Sequence, residues 1–449
     1  MSKAIDNLKN IKLVKTLTNI WRIEDLRLRI LITLLFVAIY RFGSYVVLPG
    51  IDTEALEGLK NQTEGGLMSL LDMFSGGAFS KASIFALGIM PYISASIVMQ
   101  LLGIAVPYFQ KMQREGESGR RKMSQYTRYL TVPILVFQGI FYLINLKNQT
   151  AGAALYSSLD WNMFILYATI ILAAGSMFVL WLGERITDKG IGNGVSIIIM
   201  IGIIARFPTA VIQEFSTRIG GQGGLVMFLI EIVLFLAVIA AAILLVQGVR
   251  QVPVNYAKKI AGARQIGGAR QYIPLKPYAA NVMPIIFAQA IMFIPVTLAQ
   301  FSGSKLNPVV SQLIDNNSFV YNLIFAILII LFTYLYTAIT INPVQMAEDM
   351  KRNNGFIPGI KPGKDTADYI DKVMSRITFP GSLFLAVIAI LPAFAGIFGI
   401  QREFAAFFGG TSLLILVGVV LDTLMQIESH LMMRHYDGLL DTGRVRGEH

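Results

Sequence analysis

Cysteine is absent from the chain, and histidine is nearly absent. Without cysteine there is no disulfide, no thiolate nucleophile and no cysteine-ligated metal. The three histidines, His430, His435 and His449, all lie near the C-terminus. No histidine therefore lies where an apolar core would use it as an acid, base or ligand. These absences exclude most enzyme chemistry, and no cofactor or metal is expected.

Charge is also scarce. Only 14% of the 449 residues are charged and 55% are hydrophobic, whereas soluble domains carry about 25% charged residues. Long apolar runs recur along the chain, which predicts an all-α polytopic membrane protein with ten transmembrane helices. The predicted spans are 30–48, 84–106, 129–146, 163–183, 193–212, 224–249, 279–301, 319–342, 379–400 and 408–428. No cleavage site follows the first run, so we expect that span to be retained.

The basic residues predict the topology. If the N-terminal segment 1–29 is cytoplasmic, 30 of the 38 lysines and arginines fall in segments on the cytoplasmic side. The positive-inside rule then places both termini in the cytoplasm. Residues 433–449 form the cytoplasmic tail.

Two cytoplasmic loops, 250–278 and 343–378, are longer than their role as connections requires. Each has about thirty residues, whereas helix connections usually take about two to eight. The topology rule alone can explain their positive charge, but it does not explain their length. Our hypothesis is that both project as hairpins toward a large partner rich in phosphate or carboxylate.

An internal repeat divides the chain. "GIMPYISASIVMQ" (88–100) and "NVMPIIFAQAIMF" (281–293) agree at five of thirteen positions, and "GVSIII" (194–199) is similar to "GTSLLI" (410–415). The members of each pair lie five spans apart, so they cross the membrane in opposite directions. This pattern is typical of an inverted-topology repeat with two five-helix halves, here 30–212 and 213–432.

The repeat also predicts a functional centre. In such folds this centre lies near the midplane between the halves, and here the matched positions are aliphatic. A ring of aliphatic side chains is a hydrophobic constriction that resists water and ions. The alternative is ordinary helix packing. The six residues are Ile89, Ile93, Val195, Ile199, Ile286 and Ile415.

Two prolines are also repeat mates. Pro91 and Pro284 each remove one backbone hydrogen bond, to the carbonyls of Leu87 and Ala280 respectively, and so permit a bend. Our hypothesis is that spans two and seven hinge apart at these positions. Proline is common in membrane helices, so a purely structural role is the alternative.

The ordered motifs resemble one family. "MFSGGAFSKASIFALGIMPYISAS", "EGESGRRKMSQYTRY", "DKGIGNGVSIII", "VNYAKK", "FIPGIKPG" with "YIDKVMSR", and "FGGTSLLI" together resemble the SecY family of bacterial protein-conducting channels, over residues 20–436. The resemblance implies an hourglass pore in the cytoplasmic membrane whose isoleucine-rich ring consists of the same six residues. It also implies transport of unfolded secretory polypeptides, driven by an external motor or the ribosome.

By the same resemblance, residues 67–82 are a plug, a short half-helix that blocks the closed pore. The alternative is a surface loop helix. Spans two and seven would form a lateral gate, with Pro91, Ser94, Gln100 and Pro284 at its seam, although the two polar residues would fit a static bundle equally well. The residues assigned to the plug are Leu70, Leu71, Met73, Phe74, Ser75, Gly76 and Gly77.

The resemblance further implies partners. The long loops would dock the SecA motor ATPase and the ribosome with its RNA through Lys258, Lys259, Arg264 and Lys361. SecE, and often SecG, would be partner subunits, while preproteins, signal peptides and membrane lipid would contact the channel. No small-molecule substrate is expected. Lys361 stands where the family has arginine, and Val195 where it often has isoleucine.

Two other functions remain open at this stage. A secondary transporter for a small solute would need ionisable groups at the midplane, and the best candidate is Glu231, nearer the outer end of span six. A scaffold that holds partner helices without conducting anything is the second. The chain has no "GxxxxGK[ST]" phosphate loop, so it has no recognisable nucleotide motor of its own.

Overall fold

The structure is a computed structural model, and its helices follow the apolar runs. It describes residues 23–52, 72, 75–149, 160–221, 224–256, 259–261, 264–266, 270–276, 283–289, 291–292 and 318–441. By its internal contacts the chain divides into two units, Met1–Pro208 with Val419–His449, and Thr209–Gly418. The domain boundaries expected from the repeat remain a prediction.

Long helices dominate both units. Two of the helices, α6 and α12, begin in one unit and end in the other. The helices are α1 (Glu24–Gly43), α2 (Met90–Ala105), α3 (Pro107–Arg114), α4 (Glu117–Gln149), α5 (Trp161–Lys189), α6 (Gly194–Ile219), α7 (Gly224–Gln247), α8 (Phe319–Thr340), α9 (Pro343–Arg352), α10 (Lys364–Ile397), α11 (Arg402–Ala405) and α12 (Gly410–Asp441).

Most predicted spans have a matching helix. Among the described residues, seven helices are long and apolar enough to cross a membrane, or eight if the bent pair α2 and α3 counts as one span. The predicted span 279–301 lies largely outside the described residues, although 283–289 and 291–292 are helical. The helical membrane class is confirmed, while the number ten remains a prediction.

The second predicted span begins later than its apolar run. Helix α2 starts at Met90, whereas residues 75–89 form successive turns. An isolated bridge joins Val47 to Ser83, and the Leu48 amide donates to the Ala82 carbonyl at 2.9 Å. These contacts satisfy backbone groups that a longer helix would satisfy internally, so the segment is ordered without being helical.

Glycines let this segment approach two helices closely. A Cβ on Gly175 of α5 would lie 2.1 Å from the Ile84 carbonyl oxygen, and one on Gly43 of α1 would lie 2.0 Å from the Phe85 ring. The segment also contributes Phe79, Ala82, Ala86 and Leu87 to a buried core shared with α4 and α5. The late start of α2 therefore follows from packing that the local sequence does not reveal.

The expected bend at Pro91 is wrong. Pro91 lies in the first turn of α2, where amides have no intrahelical acceptor, so its missing N–H breaks no bond. The Leu87 carbonyl accepts instead from the Met90 amide at 3.2 Å. The large bend lies at the other end, where α2 and α3 meet at 100° around Val106.

The loop 250–278 forms the expected hairpin. Strands β1 (Arg250–Tyr256) and β4 (Arg270–Leu275) pair antiparallel, with Val252 opposite Ile273. Between them β2 (Lys259–Ala261) pairs with β3 (Arg264–Ile266). Strand β5 (Gly355–Phe356) joins the far edge of β1, which gives the order β4-β1-β5.

The second long loop is not a hairpin, so that expectation is wrong. Residues 343–378 contain α9, β5 and the first turns of α10. Apolar side chains of these residues pack against apolar side chains of the sheet in one buried core. Forming this core requires more residues than a simple connection would. The core consists of Val252, Val254, Leu275, Met350, Ile357, Ile370 and Met374.

The close approach at Gly175 generates a stability prediction. Gly175→Ala should lower the free energy of unfolding by about 1–3 kcal/mol, since the new methyl group overlaps a backbone carbonyl that cannot rotate away. Thermal denaturation of the purified protein in detergent measures the loss. The matched control is Gly139→Ala in α4, whose Cβ would meet neighbours at 3.5 and 3.8 Å, ordinary contact distances. Equal midpoints for the two variants would contradict the prediction.

Candidate functional site

One face of α6 carries two of the six predicted ring residues. Val195, Ile199, Gly202 and Arg206 follow one another at spacings of four, three and four, so they lie along a single stripe of the helix. Val195 is half-buried and Ile199 is buried. Along the stripe the side chains change from aliphatic (Val195 and Ile199) to none (Gly202) to cationic (Arg206). These parts have different contacts within the first unit.

The aliphatic part of this unit encloses a small cavity. Ile89, Ile93, Ile198 and Ile199 line it together with Tyr40 and Ser75. Its volume is about 10 Å³, which admits at most about one water molecule. Ile89, Ile93 and Ile199 of the predicted ring thus line one cavity, Val195 is not among its lining residues, and Ile198, which sequence reasoning did not select, is.

The other two predicted ring residues lie in the second unit. Ile415 is buried in the second turn of α12. Ile286 is half-buried in the helical segment 283–289, where its neighbour Ile285 is buried. The assembly of all six residues into one ring remains a prediction.

Part of the predicted plug lies against the cavity. Leu70, Leu71, Met73 and Phe74 lie outside the described residues. Ser75, Gly76 and Gly77 are described, and residues 75–82 form turns, so the expected half-helix is wrong for this part. We refer to Asp72 with residues 75–82 as the plug segment.

Side chains from two helices hold the plug segment by its backbone carbonyls. Tyr40 Oη of α1 donates to the Ser75 carbonyl at 3.2 Å, and Arg41 Nη1 of the same helix donates to the Gly76 carbonyl at 3.0 Å. Tyr142 Oη of α4 donates to the Phe79 carbonyl at 2.8 Å, and the two rings pack edge to face. These three side-chain hydrogen bonds hold the segment in place, although it belongs to no helix or sheet.

Glycine is required at the point where the plug segment crosses α6. Gly76 has φ +66°, in the left-handed region that favours glycine, and a Cβ there would lie 2.9 Å from the Gly202 Cα. Two glycine backbones thus meet directly. At Gly76, close packing against α6 is therefore the reason for glycine.

A buried ion pair between Arg206 of α6 and Asp72 also holds the plug segment. Arg206 Nη1 lies 2.8 Å from Asp72 Oδ2, and the two side chains are 22% and 2% exposed respectively. Asp72 Oδ1 also accepts from the Ser80 amide at 2.7 Å. The carboxylate is therefore desolvated and depends on these donors, because an unpaired buried charge is strongly unfavourable.

The two polar gate residues predicted on α2 have hydrogen-bond partners inside the first unit. Ser94 Oγ donates to the Met90 carbonyl at 3.1 Å and accepts from Gln138 Nε2 of α4 at 3.4 Å. Gln100 Nε2 donates to Ser96 Oγ at 3.3 Å. Pro284 is buried in the helical segment 283–289. These contacts fit the static-bundle alternative in the conformation described, and the gate role remains a prediction.

The predicted docking residues lie on and beside the small sheet. Lys361 is exposed on the turn between β5 and α10, where its carbonyl accepts from Thr366 Oγ1 at 2.8 Å. Lys259 and Arg264 lie in β2 and β3, and Lys258 lies outside the described residues. Lys259 and Arg264 thus lie on a β-hairpin tip that is a sheet separate from β4-β1-β5.

Glu231, the candidate of the transporter alternative, belongs to an ionic cluster in the second unit. Arg218 binds Glu231 and also Glu214 at 2.8 Å, and donates to the Gly399 carbonyl at 2.9 Å. Glu214 in turn accepts from the Gln401 amide at 2.9 Å. The cluster ties α6, α7 and the 399–401 turn together, which gives Glu231 a structural role. Within the described residues, no acidic or histidine group of three or more is arranged to hold a metal ion.

Sequence reasoning did not select Asp72 or Arg206. A signal was nevertheless present, since Arg206 is a charge inside the apolar span 193–212, and an intramembrane charge calls for a partner. The partner is 134 residues earlier in the sequence, and no pattern in the chain links the two. Tyr40 and Tyr142 carried no signal, because aromatic residues are common in membrane helices.

Comparison with known proteins shows the family of the chain. The SecY family model matches residues 83–424, most of the chain. The protein translocase subunit SecY of Halalkalibacterium halodurans is 43% identical over 435 residues, which cover 95% of this chain and 99% of that protein.

Solved channel structures have the same fold. A structure of a SecY protein whose plug domain is described as stabilising the closed state of the translocation channel and maintaining a membrane seal has a TM-score of 0.61 at 18% identity, over 94% of this chain and 95% of that one. Sec61 in a canine ribosome-channel complex has a TM-score of 0.60 at 15% identity, with the same coverage. By sequence and by fold, the chain belongs to the SecY family of protein translocase subunits.

Proposed function

We propose that this chain is the pore-forming subunit of a bacterial Sec translocase. It moves unfolded secretory polypeptides across the cytoplasmic membrane and releases hydrophobic segments sideways into lipid. The pore is passive and is sealed by the six-residue aliphatic ring and by the plug. Both termini and the two long loops lie in the cytoplasm, as the distribution of basic residues supports.

The observation that carries this proposal is the apolar wall of the first unit. Ile89, Ile93 and Ile199 line one small cavity with the plug segment beside it. A pore for unfolded polypeptide must let every kind of side chain pass, so its constriction cannot hold any of them strongly. Aliphatic side chains offer no hydrogen bonds, yet they exclude water and ions by dewetting.

Energy for transport comes from outside the chain. SecY proteins are channels and not enzymes, and this sequence has no phosphate-binding loop of the GxxxxGK[ST] type. The SecA motor ATPase, the translating ribosome and the membrane potential are the proposed sources. SecE and SecG are the proposed partner subunits of the complex.

The small sheet and its turn are the proposed docking site. Lys361 is exposed there and the sheet is fixed on α9 and α10 by a buried core. A rigid basic surface suits a partner rich in phosphate, such as ribosomal RNA. The canine Sec61 complex, which has the same fold, is bound to a ribosome. Lysine at this position retains the charge but lacks the planar fork of arginine.

A crosslinking experiment tests the pore. Photoreactive probes at Ile89 and at Ile286 should both capture a stalled secretory precursor, because a translocating chain must pass the ring. A probe at Leu166, an exposed residue of α5, is the matched control and should capture far less. Capture at neither ring position would overturn the pore assignment and favour a scaffold.

Deleting residues 69–78 tests the plug. The resting channel should conduct more ions across planar bilayers, since the segment beside the apolar wall is lost. Conductance equal to that of the complete chain would remove the plug assignment. Signal-dependent translocation by the deletion variant shows that the complex has assembled.

Charge reversal tests the docking site. Arg264→Glu and Lys361→Glu together should weaken the binding of ribosomes and of SecA by roughly tenfold at low salt, and less at high salt, as expected for screened charges. The control is Arg121→Glu, which changes an exposed charge outside the two loops. Binding that is unaffected by the double reversal, or equally weakened by the control, would contradict the assignment.

A further inference from the structure

We infer that the Asp72–Arg206 ion pair is the positioning contact that holds the plug segment on the pore wall. The inference rests on the proposed plug role and adds the residues that set how readily the segment leaves. Asp72 supplies the negative charge on the plug segment, and Arg206 supplies the positive charge on α6.

Asp72 organises the plug segment as well as binding Arg206. Its carbonyl accepts from the Gly77 amide at 2.8 Å and from Ser75 Oγ at 3.0 Å. Its Oδ1 accepts from the Ser80 amide at 2.7 Å. One residue therefore closes the turns of the segment and, through Oδ2, fastens them to α6.

Arg206 lies in line with the seal. It is seven residues beyond Ile199 on the same stripe of α6, which places it about 10 Å farther along the helix axis. Gly202 lies between them and meets Gly76 backbone to backbone. The ion pair therefore holds the plug segment at a point of α6 beyond the aliphatic wall. The wall itself needs no polar group to hold the segment.

Asp72 is more deeply buried than Arg206. This difference determines which of the two substitutions is expected to disrupt the contact more. Asp72 is 2% exposed and Arg206 is 22% exposed. Removing the guanidinium leaves a buried carboxylate short of a donor. Removing the carboxylate charge leaves a cation that already reaches water. Loss of Arg206 is therefore the more disruptive change.

Resting ion conductance of the assembled complex in planar bilayers tests the inference. Arg206→Gln should raise conductance roughly tenfold or more, as expected when one partner of a buried pair is removed. Asp72→Asn should raise it less, since the amide oxygen can still accept from the Ser80 amide. The double variant should resemble Asp72→Asn, because no unpaired carboxylate remains. Arg206→Lys should restore most of the closed state.

Several outcomes would overturn the inference. These are unchanged conductance in Arg206→Gln, a double variant that conducts more than Arg206→Gln, or no rescue by Arg206→Lys. The second outcome would show that the two residues act independently, and the third would show that a positive charge at position 206 is not sufficient to hold the segment. The control Glu117→Gln, which removes an exposed ion pair, should leave conductance unchanged.

The 69–78 deletion separates this inference from the proposed function. If the deletion raises conductance, and Arg206→Gln raises it in the complete chain but adds nothing in the deletion variant, both hold. If the deletion raises conductance but Arg206→Gln in the complete chain does not, only the ion-pair inference fails. If the deletion has no effect, the plug assignment itself fails.

Discussion

The structure of the first unit depends on the packing of a non-helical segment, residues 75–89, against four helices. Backbone can be buried in an apolar bundle only if its polar groups find partners. Here hydroxyl and guanidinium groups of α1 and α4, and one bridge to Val47, supply them. Gly175 and Gly202 remove the side chains that would otherwise hold the segment away.

The same unit keeps two kinds of interaction apart. The wall formed by Ile89, Ile93 and Ile199 contains no hydrogen-bonding side chain, so contact with it is non-specific and governed by exclusion of water. The retaining contacts are polar, directional and displaced along α6 toward Arg206. The apolar wall and the polar contacts thus depend on different interactions, so a change in one need not alter the other.

The sequence predicted the helices well because long apolar runs are a strong signal, and α5, α7 and α8 begin within two residues of their predicted starts. It failed at 84–89, where apolar composition coexists with turns, since Gly175 on a distant helix decides that conformation. Three ring positions were found together because the repeat and the family motifs both mark them. Asp72 was missed because pairing across 134 residues leaves no local pattern.

Helix α10 extends from the small sheet into the apolar region as one element. Ile370 and Met374 near its start belong to the core beneath the sheet, and its last residues lead into the 399–401 turn held by Arg218 and Glu214. With 34 residues it is about 50 Å long. It is therefore held at both ends by contacts of different kinds, and Pro380 and Pro392 inside it each remove one backbone hydrogen bond from its apolar part.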